Sequence, residues 1–285
     1  MTHTPATLVK AFFGVDLGSA NSVAVYSIET TMSTGKVHVC KDSILQRLRV
    51  VTFANFDTQA ATLISFGRAS QDDAKERFLF GSEVTDALNQ ETIAPDQVMR
   101  WLKIALFDSS PSGLLMKRRI EQQISHLPEE ARNVTAADGT IKEIKCHDLF
   151  AFYLGYLWRS TLRNMKTQEN CSMPWPDLPH QDQYRGVDTA GVEFEIAIAV
   201  PALATPQQCD MVSDATRMAG LAAPFLFSEP SVAATYLLQY DFERGFPPSS
   251  EVVLVVDIGA GTAVWPTLSL SLKEPLISLA GLADI

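Results

Sequence analysis

The sequence is short of several things that would place it in a familiar class. Its four cysteines, Cys40, Cys146, Cys171 and Cys209, show no CxxC spacing and no paired pattern. That argues against a disulfide framework or a cysteine zinc site, and it fits a reducing compartment. Basic runs are scarce, and 23 Lys and Arg against 33 Asp and Glu leave a net charge of −10. Nucleic acid and anionic membrane are therefore not expected as main partners. The one basic cluster, Lys117–Arg119, reads as a solvated helix face. No apolar run approaches the roughly 20 residues of a membrane span. Met1–Lys10 lacks the apolar core of a signal peptide. The expectation is a cytoplasmic protein, with the nucleus as the other compartment open to it.

What the chain does have is an ordinary globular composition, 46% hydrophobic and 20% charged, at a length able to bury a substantial core. The most informative stretch is Glu251–Thr262, EVVLVVDIGAGT. Its β-branched run Val252–Val256 lacks polar alternation, which predicts a strand buried on both faces. Asp257 then meets Gly259, Ala260, Gly261 and Thr262. A carboxylate at a strand end beside small residues lets a phosphate-bound cation approach, and glycines let backbone N–H groups crowd around phosphate oxygens. A tight hairpin turn produces the same letters.

A second copy of the design lies near the N-terminus, in Ala11–Tyr26, AFFGVDLGSANSVAVY. Phe12, Phe13 and Val15 lead to Asp16. Gly18, Ser19, Ala20, Asn21 and Ser22 follow, and Val23–Tyr26 resumes a strand pattern. Two such hairpins, far apart in sequence, are able to clamp one polyphosphate from opposite sides.

Between them, Val37–Cys40, Arg49–Phe56 and Leu63–Phe66 carry strand signals, the last closed by Gly67. Gln71–Asn89 reads as a helix. Pro95 suits the first turn of another over Asp96–Phe107, with Val98, Trp101, Leu102, Ala105 and Leu106 on one stripe. Lys103 falls off that stripe, facing either a cleft or solvent. Pro111–Arg132 is helical, Ala136–Gly139 turn-rich, and His147–Asn164 the strongest helix, with an aromatic stripe that reads as core. Asn170–Gly191, rich in Pro, Asp and Gln, reads as a long surface insertion. Glu193–Ala202 predicts a strand stopped at Pro201, Pro206–Ala219 a helix closed by Gly220, and Pro224–Phe227 a short strand. Pro230 biases Glu229 out of helix, so the next helix is placed over Ser231–Tyr240. Glu229 is then either sited to order a water or a partner of that helix's dipole.

Taken together, four stretches resemble the ATPase domain of the seventy-kilodalton heat-shock proteins, within the actin-like ATPase superfamily. Gly14–Val25 (GVDLGSANSVAV) is similar to the family's first phosphate loop, and Val255–Thr262 (VVDIGAGT) to its second. Ile198–Leu221 resembles its VPA…Q…A…AGL segment, and Ser228–Leu238 (SEPSVAATYLL) its connecting helix. The insertion and the RWLK-type helix look like a divergent branch. The resemblance implies an α/β, ribonuclease H-like fold of two lobes with nucleotide and magnesium in the cleft. The first lobe would be complete over 11–246, with a smaller subdomain at about 45–140. The second would begin at 247 and be truncated at 285.

Carried over residue by residue, Asp16 and Asp257 would face magnesium through water. Gly18, Ser19, Ala20, Asn21, Gly259, Ala260, Gly261 and Thr262 would wrap the phosphates of ATP or ADP. Glu229, Asp257, Thr262 and Lys103 would form the catalytic set, Glu229 positioning the attacking water and Lys103 standing near the γ-phosphate. Such chemistry is positioning plus electrostatic stabilisation. The chain departs from the family pattern at Ala260, where a glycine is usual, and at Val264, where an aspartate is usual. Pro266 would interrupt the following strand, and the adenosine-contacting segments would lie past Ile285. The expectation is thus a chaperone-type ATPase relative with an incomplete site, with unfolded polypeptide or co-chaperones as further partners. A catalytically inactive pseudo-ATPase acting as a protein-binding module, or a small-molecule kinase of the same superfamily, are the competing readings.

Overall fold

Burial alternates along Thr7–Asp16 (β1): Ala11, Phe13 and Val15 are buried, Phe12 and Gly14 half-buried, and Asp16 exposed. That period of two identifies one face with the core. A computed structural model describes residues 7–32, 48–53, 57–135, 140–168, 192–243, 252–254, 257–258, 263–264 and 267–269. β1 pairs antiparallel with Asn21–Met32 (β2), in register from Thr7 opposite Met32 to Asp16 opposite Val23. Arg49–Val50 (β3) and Ala60–Ala61 (β4) both pair with β2. The strand signal of Arg49–Phe56 thus yields only two paired residues before 54–56, which lie outside the described residues, as does Val37–Cys40.

Ile64–Gly67 (β5) ends at the expected glycine and pairs antiparallel with Arg77–Phe80 (β6). Here the predicted helix over Gln71–Asn89 is corrected. Phe78, Leu79 and Phe80 are buried in a strand, and only Ser82–Asn89 (α1) is helical. Gly81 separates them at φ 55°, and a Cβ there would lie 2.8 Å from the Tyr156 hydroxyl. The predicted helix over Asp96–Phe107 is also divided. Pro95–Gln97 forms one 3₁₀ turn, Met99 bridges to Ile64, and the α-helix is confined to Leu102–Phe107 (α2). Trp101 makes the break with a left-handed backbone, φ 62° and ψ 34°, unusual for a bulky residue.

Pro111–Ser125 (α3) and Glu129–Arg132 (α4) share what reads as one helix in sequence. Asn133–Thr135 (β7) and Ile141–Glu143 (β8) form a small hairpin. Cys146–Gln168 (α5) confirms the strongest helical signal, with Asp148 accepting from the Lys145 N–H and paired with Lys142 at 2.7 Å at its start. Val192–Val200 (β9), Pro206–Met218 (α6) and Phe225–Ser228 (β10) follow as expected. Glu229–Glu243 (α7) begins two residues before the predicted start. Pro230 is accommodated because first-turn N–H groups need no helical partner, and the Ser228 hydroxyl accepts from the Ser231 N–H.

Past α7 come Val252–Leu254 (β11), Asp257–Ile258 (β12), Ala263–Val264 (β13) and Thr267–Ser269 (β14). β11 pairs with β14 and β12 with β13, both antiparallel. The side chains of these strands, the Ala136–Gly139 turn and the 170–191 insertion lie outside the described residues.

The principal sheet runs β10-β9-β1-β2-β3, with β4 also on β2. The protein is a mixed α/β structure. α5 lays its aromatic stripe on the sheet: Trp158 meets Phe13 with ring centroids 5.0 Å apart and Phe194 edge-on at 4.8 Å. Phe150, Phe152, Tyr153 and Trp158 are all buried in this core, each side chain of that size contributing about 1.5–3 kcal/mol by burial. A second small cluster, Leu79, Val84, Ala87, Ile93 and Val98, holds α1 against the β5–β6 hairpin. Among the described residues no helix is long and apolar enough to cross a membrane.

Candidate functional site

β1, β9 and β10 run parallel, so their carboxyl ends share one edge of the sheet. Asp16 stands opposite Ala199, and Ala199 opposite Phe227, two residues before Glu229. At the usual strand spacing this places the Asp16 and Phe227 backbones about 10 Å apart. In open α/β sheets that edge is where ligands bind, because helices cover the faces and the loops after the strands are free to vary.

The loop after β1 is held by a network rooted in the core. A Cβ on Gly18 would fall 1.9 Å from the Asn21 carbonyl oxygen, so only glycine permits this turn. The Thr62 hydroxyl donates to the Gly18 carbonyl at 2.9 Å, and the Thr62 N–H donates to the Ala20 carbonyl at 2.8 Å. Thr62 also shares a hydrogen bond of 2.8 Å with the buried Ser22 hydroxyl. Beneath them the Tyr153 hydroxyl donates to the carbonyls of Ala60 and Ala61. Burial pushes that phenol above its ordinary pKa, against the opposing pull of Ser22 and Thr62. Two carbonyls of the loop are thus turned toward β4. Ser19 is buried, whereas Asp16, Ala20 and Asn21 are exposed at the sheet edge.

Across the edge, Lys103 Nζ lies 2.7 Å from Glu229 Oε1, and both side chains are about nine-tenths buried (9% and 10% exposed). Lys103 rides on α2 and Glu229 opens α7, so the pair ties the segment after β6 to the end of β10. α2 is anchored from the same edge. Gln208, in the first turn of α6, donates through Nε2 to the carbonyls of Leu106 and Phe107 at 3.1 and 3.0 Å. Its Oε1 accepts from the Thr205 N–H, completing a capping box. One glutamine therefore closes the last turn of α2 and the first turn of α6 together. The left-handed Trp101 caps the start of α2, two residues before Lys103.

The structure brings Lys103 and Glu229 into contact and sets Asp16, Gly18, Ser19, Ala20 and Asn21 at the same edge of the sheet. Asp257 lies in β12 opposite Val264. Gly259, Ala260, Gly261 and Thr262 lie outside the described residues. Thr62, Tyr153 and Gln208 were not legible as site residues: each acts through backbone carbonyls of distant segments, and nothing in its own neighbourhood of sequence signals that. Among the described residues no group of three or more His, Cys, Asp or Glu could cage a metal ion directly. No family model matches the chain.

Proposed function

We propose that the protein binds ATP with magnesium, as a divergent relative of the heat-shock-type ATPases with the actin-like fold. The observation that carries this reading is the buried Lys103–Glu229 contact at the carboxyl ends of parallel strands. A cation and a carboxylate are seldom withdrawn from water together without a role, since desolvation costs several kcal/mol per ion. The residues fit a magnesium triphosphate in two further respects. The Gly18 and Ala20 carbonyls, which would repel a phosphate, are engaged by Thr62. Asp16 is exposed at its strand end, suited to a hydrated cation.

In this reading magnesium would be held through water by Asp16 and Asp257, and it would supply charge neutralisation at the phosphates. Ser19, Ala20 and Asn21 would cradle the phosphate chain. Lys103 would offer positive charge to its terminal oxygens, and Glu229 would orient a water. The same contact favours a second reading, the pseudo-ATPase that binds without turnover. A carboxylate bonded to an ammonium group is a weaker base, and Ala260 and Val264 remove features the family uses. A small-molecule kinase is the third.

Calorimetry with ATP, with and without magnesium, tests the proposal. The expected outcome is magnesium-dependent binding, abolished by Asp16→Ala. Phosphate release above background separates the ATPase from the pseudo-ATPase, and stimulation of ATP consumption by a sugar would point to the kinase. Absence of any magnesium-dependent triphosphate binding by the folded protein would overturn the reading.

A further inference from the structure

We propose that Gln208 is the positioning residue for Lys103: by gripping the far end of α2 it sets where the buried ammonium group stands at the sheet edge. α2 has six residues, Leu102–Phe107, too few to hold helical geometry unaided in water. Lys103 is the second of them, so its place depends on what anchors the other end. The last carbonyls of a helix lack partners within it. Leu106 and Phe107 end α2, three and four residues beyond Lys103 and on its side of the helix.

Gln208 Nε2 donates to both of those carbonyls, at 3.1 and 3.0 Å, across 102 and 101 positions of sequence. Its Oε1 accepts from the Thr205 N–H at 2.8 Å. Both donors of the carboxamide are engaged on α2 and its oxygen on the start of α6, so its orientation is fixed. The capping role needs only the oxygen, and glutamate serves there as well as glutamine. The two N–H donors to α2 are what a glutamate lacks.

The grip closes a circuit. α6 follows β9, and β9 pairs through Ala197–Val200 with Phe225–Ser228 of β10. Glu229 comes directly after β10, and Lys103 Nζ reaches it at 2.7 Å. Lys103 is thereby tied to one strand end through its side chain and to the neighbouring strand through its helix. The consequence for function rests on the nucleotide reading above: an ammonium group already fixed in place needs no further ordering to meet a terminal phosphate.

The test uses the full chain with Gln208→Glu, which keeps the capping acceptor but turns a carboxylate toward the two carbonyls. Gln208→Met matches the side chain's length without charge, and it carries the test if the glutamate variant does not fold. In each background, urea unfolding of Lys103→Met, Glu229→Gln and the double variant gives the coupling within the pair. A residue that only supports the fold lowers stability and leaves that coupling as it was. Both Gln208 substitutions should instead reduce the coupling, expressed as an equilibrium factor, by about tenfold, equivalent to one or two hydrogen bonds. Thr216→Val is the control, since it removes a buried hydrogen bond further along α6, from the Thr216 hydroxyl to the Val212 carbonyl at 2.7 Å. There the coupling should keep its wild-type value. Calorimetry with magnesium and ATP on the same proteins should show affinity about tenfold weaker in Gln208→Met than in the wild type. Coupling unchanged by the Gln208 substitutions, or lowered equally by Thr216→Val, would overturn the proposal whatever the nucleotide result. Coupling that falls in a protein whose wild type binds no magnesium ATP supports the placement of Lys103 by Gln208 and overturns the nucleotide reading instead. Coupling that falls while ATP affinity holds would overturn the part assigned to Gln208 in binding.

Discussion

Asn164 and Thr52 exchange two hydrogen bonds: Asn164 Nδ2 donates to the Thr52 carbonyl at 2.7 Å, and the Thr52 N–H donates to Asn164 Oδ1 at 2.8 Å. One carboxamide on α5 thus imitates a strand where β3 has ended, 112 residues away. Asn164 is buried, and Nδ2 also donates to the Ser160 carbonyl. Asn164→Asp should therefore be destabilising by about 1–3 kcal/mol at neutral pH, because a carboxylate accepts from Thr52 but cannot donate to it. The loss should shrink as the pH falls through the new carboxyl's pKa, since the protonated form donates again. Urea unfolding of both proteins at pH 7 and pH 4 measures this, and a pH-independent difference would count against the geometry.

The Lys103–Glu229 pair predicts a second asymmetry. Lys103→Met or Glu229→Gln removes one member of a buried pair, and Lys103→Met leaves a carboxylate with its cation withdrawn. Each single change should cost up to about 3–5 kcal/mol. The double variant should cost clearly less than the sum of the two. A thermodynamic cycle by denaturant unfolding gives the coupling. Additive losses would show that the two side chains do not sense each other.

Thr62 offers a test in which stability and ligand binding separate. Thr62→Val keeps shape and removes the hydroxyl that donates to Gly18 and shares a bond with Ser22. The expected loss of stability is about 1–3 kcal/mol. Under the nucleotide proposal, magnesium triphosphate binding should weaken as well, because the Gly18 carbonyl is no longer held on the β4 side. Wild-type affinity in a folded Thr62→Val protein would show that the loop is positioned by Gly18 alone.

Much of this architecture is written in local periodicity, and its failures have identifiable causes. The apolar entry Phe12, Phe13 and Val15 of β1, the aromatic stripe of α5 and the run from Pro206 to Gly220 that marks α6 are short-range patterns. Each predicts its element because it depends on neighbours in sequence. Arg77–Phe80 was misread as helix because a strand buried along Phe78, Leu79 and Phe80 shows no alternation, and only pairing with β5 distinguishes it. The Asp96–Phe107 stripe failed at Trp101, whose left-handed backbone runs against the preference of a bulky residue and breaks the helix there. Lys103 was legible as a residue off its stripe, whereas the carboxylate it meets lies 126 positions away and leaves no trace nearby. Thr62 and Gln208 lie deeper still, since a donor to a distant carbonyl has no sequence signature.

Alkaline pH should expose the aromatic and thiol content of the core. Burial pushes the Cys146 thiol up to about 12, with the Glu121 charge adding to the rise and Lys117 opposing it. Burial likewise raises Tyr156 to about 12 and shifts Tyr153 upward. In the unfolded chain these groups ionise near their ordinary values, roughly 8.5 for a thiol and 10 for a phenol. A raised folded-state pKa means that the native state binds more protons between the two values, so stability falls as pH rises across that interval. The contribution is complete below about pH 8.5 and declines progressively toward pH 12. Unfolding free energies should therefore drop steeply across this range. Cys146 should resist alkylation in the folded protein at pH 8, whereas half-buried Cys209 reacts. Peptide mapping after a timed iodoacetamide pulse distinguishes the two, and rapid labelling of Cys146 under native conditions would show that the start of α5 opens locally.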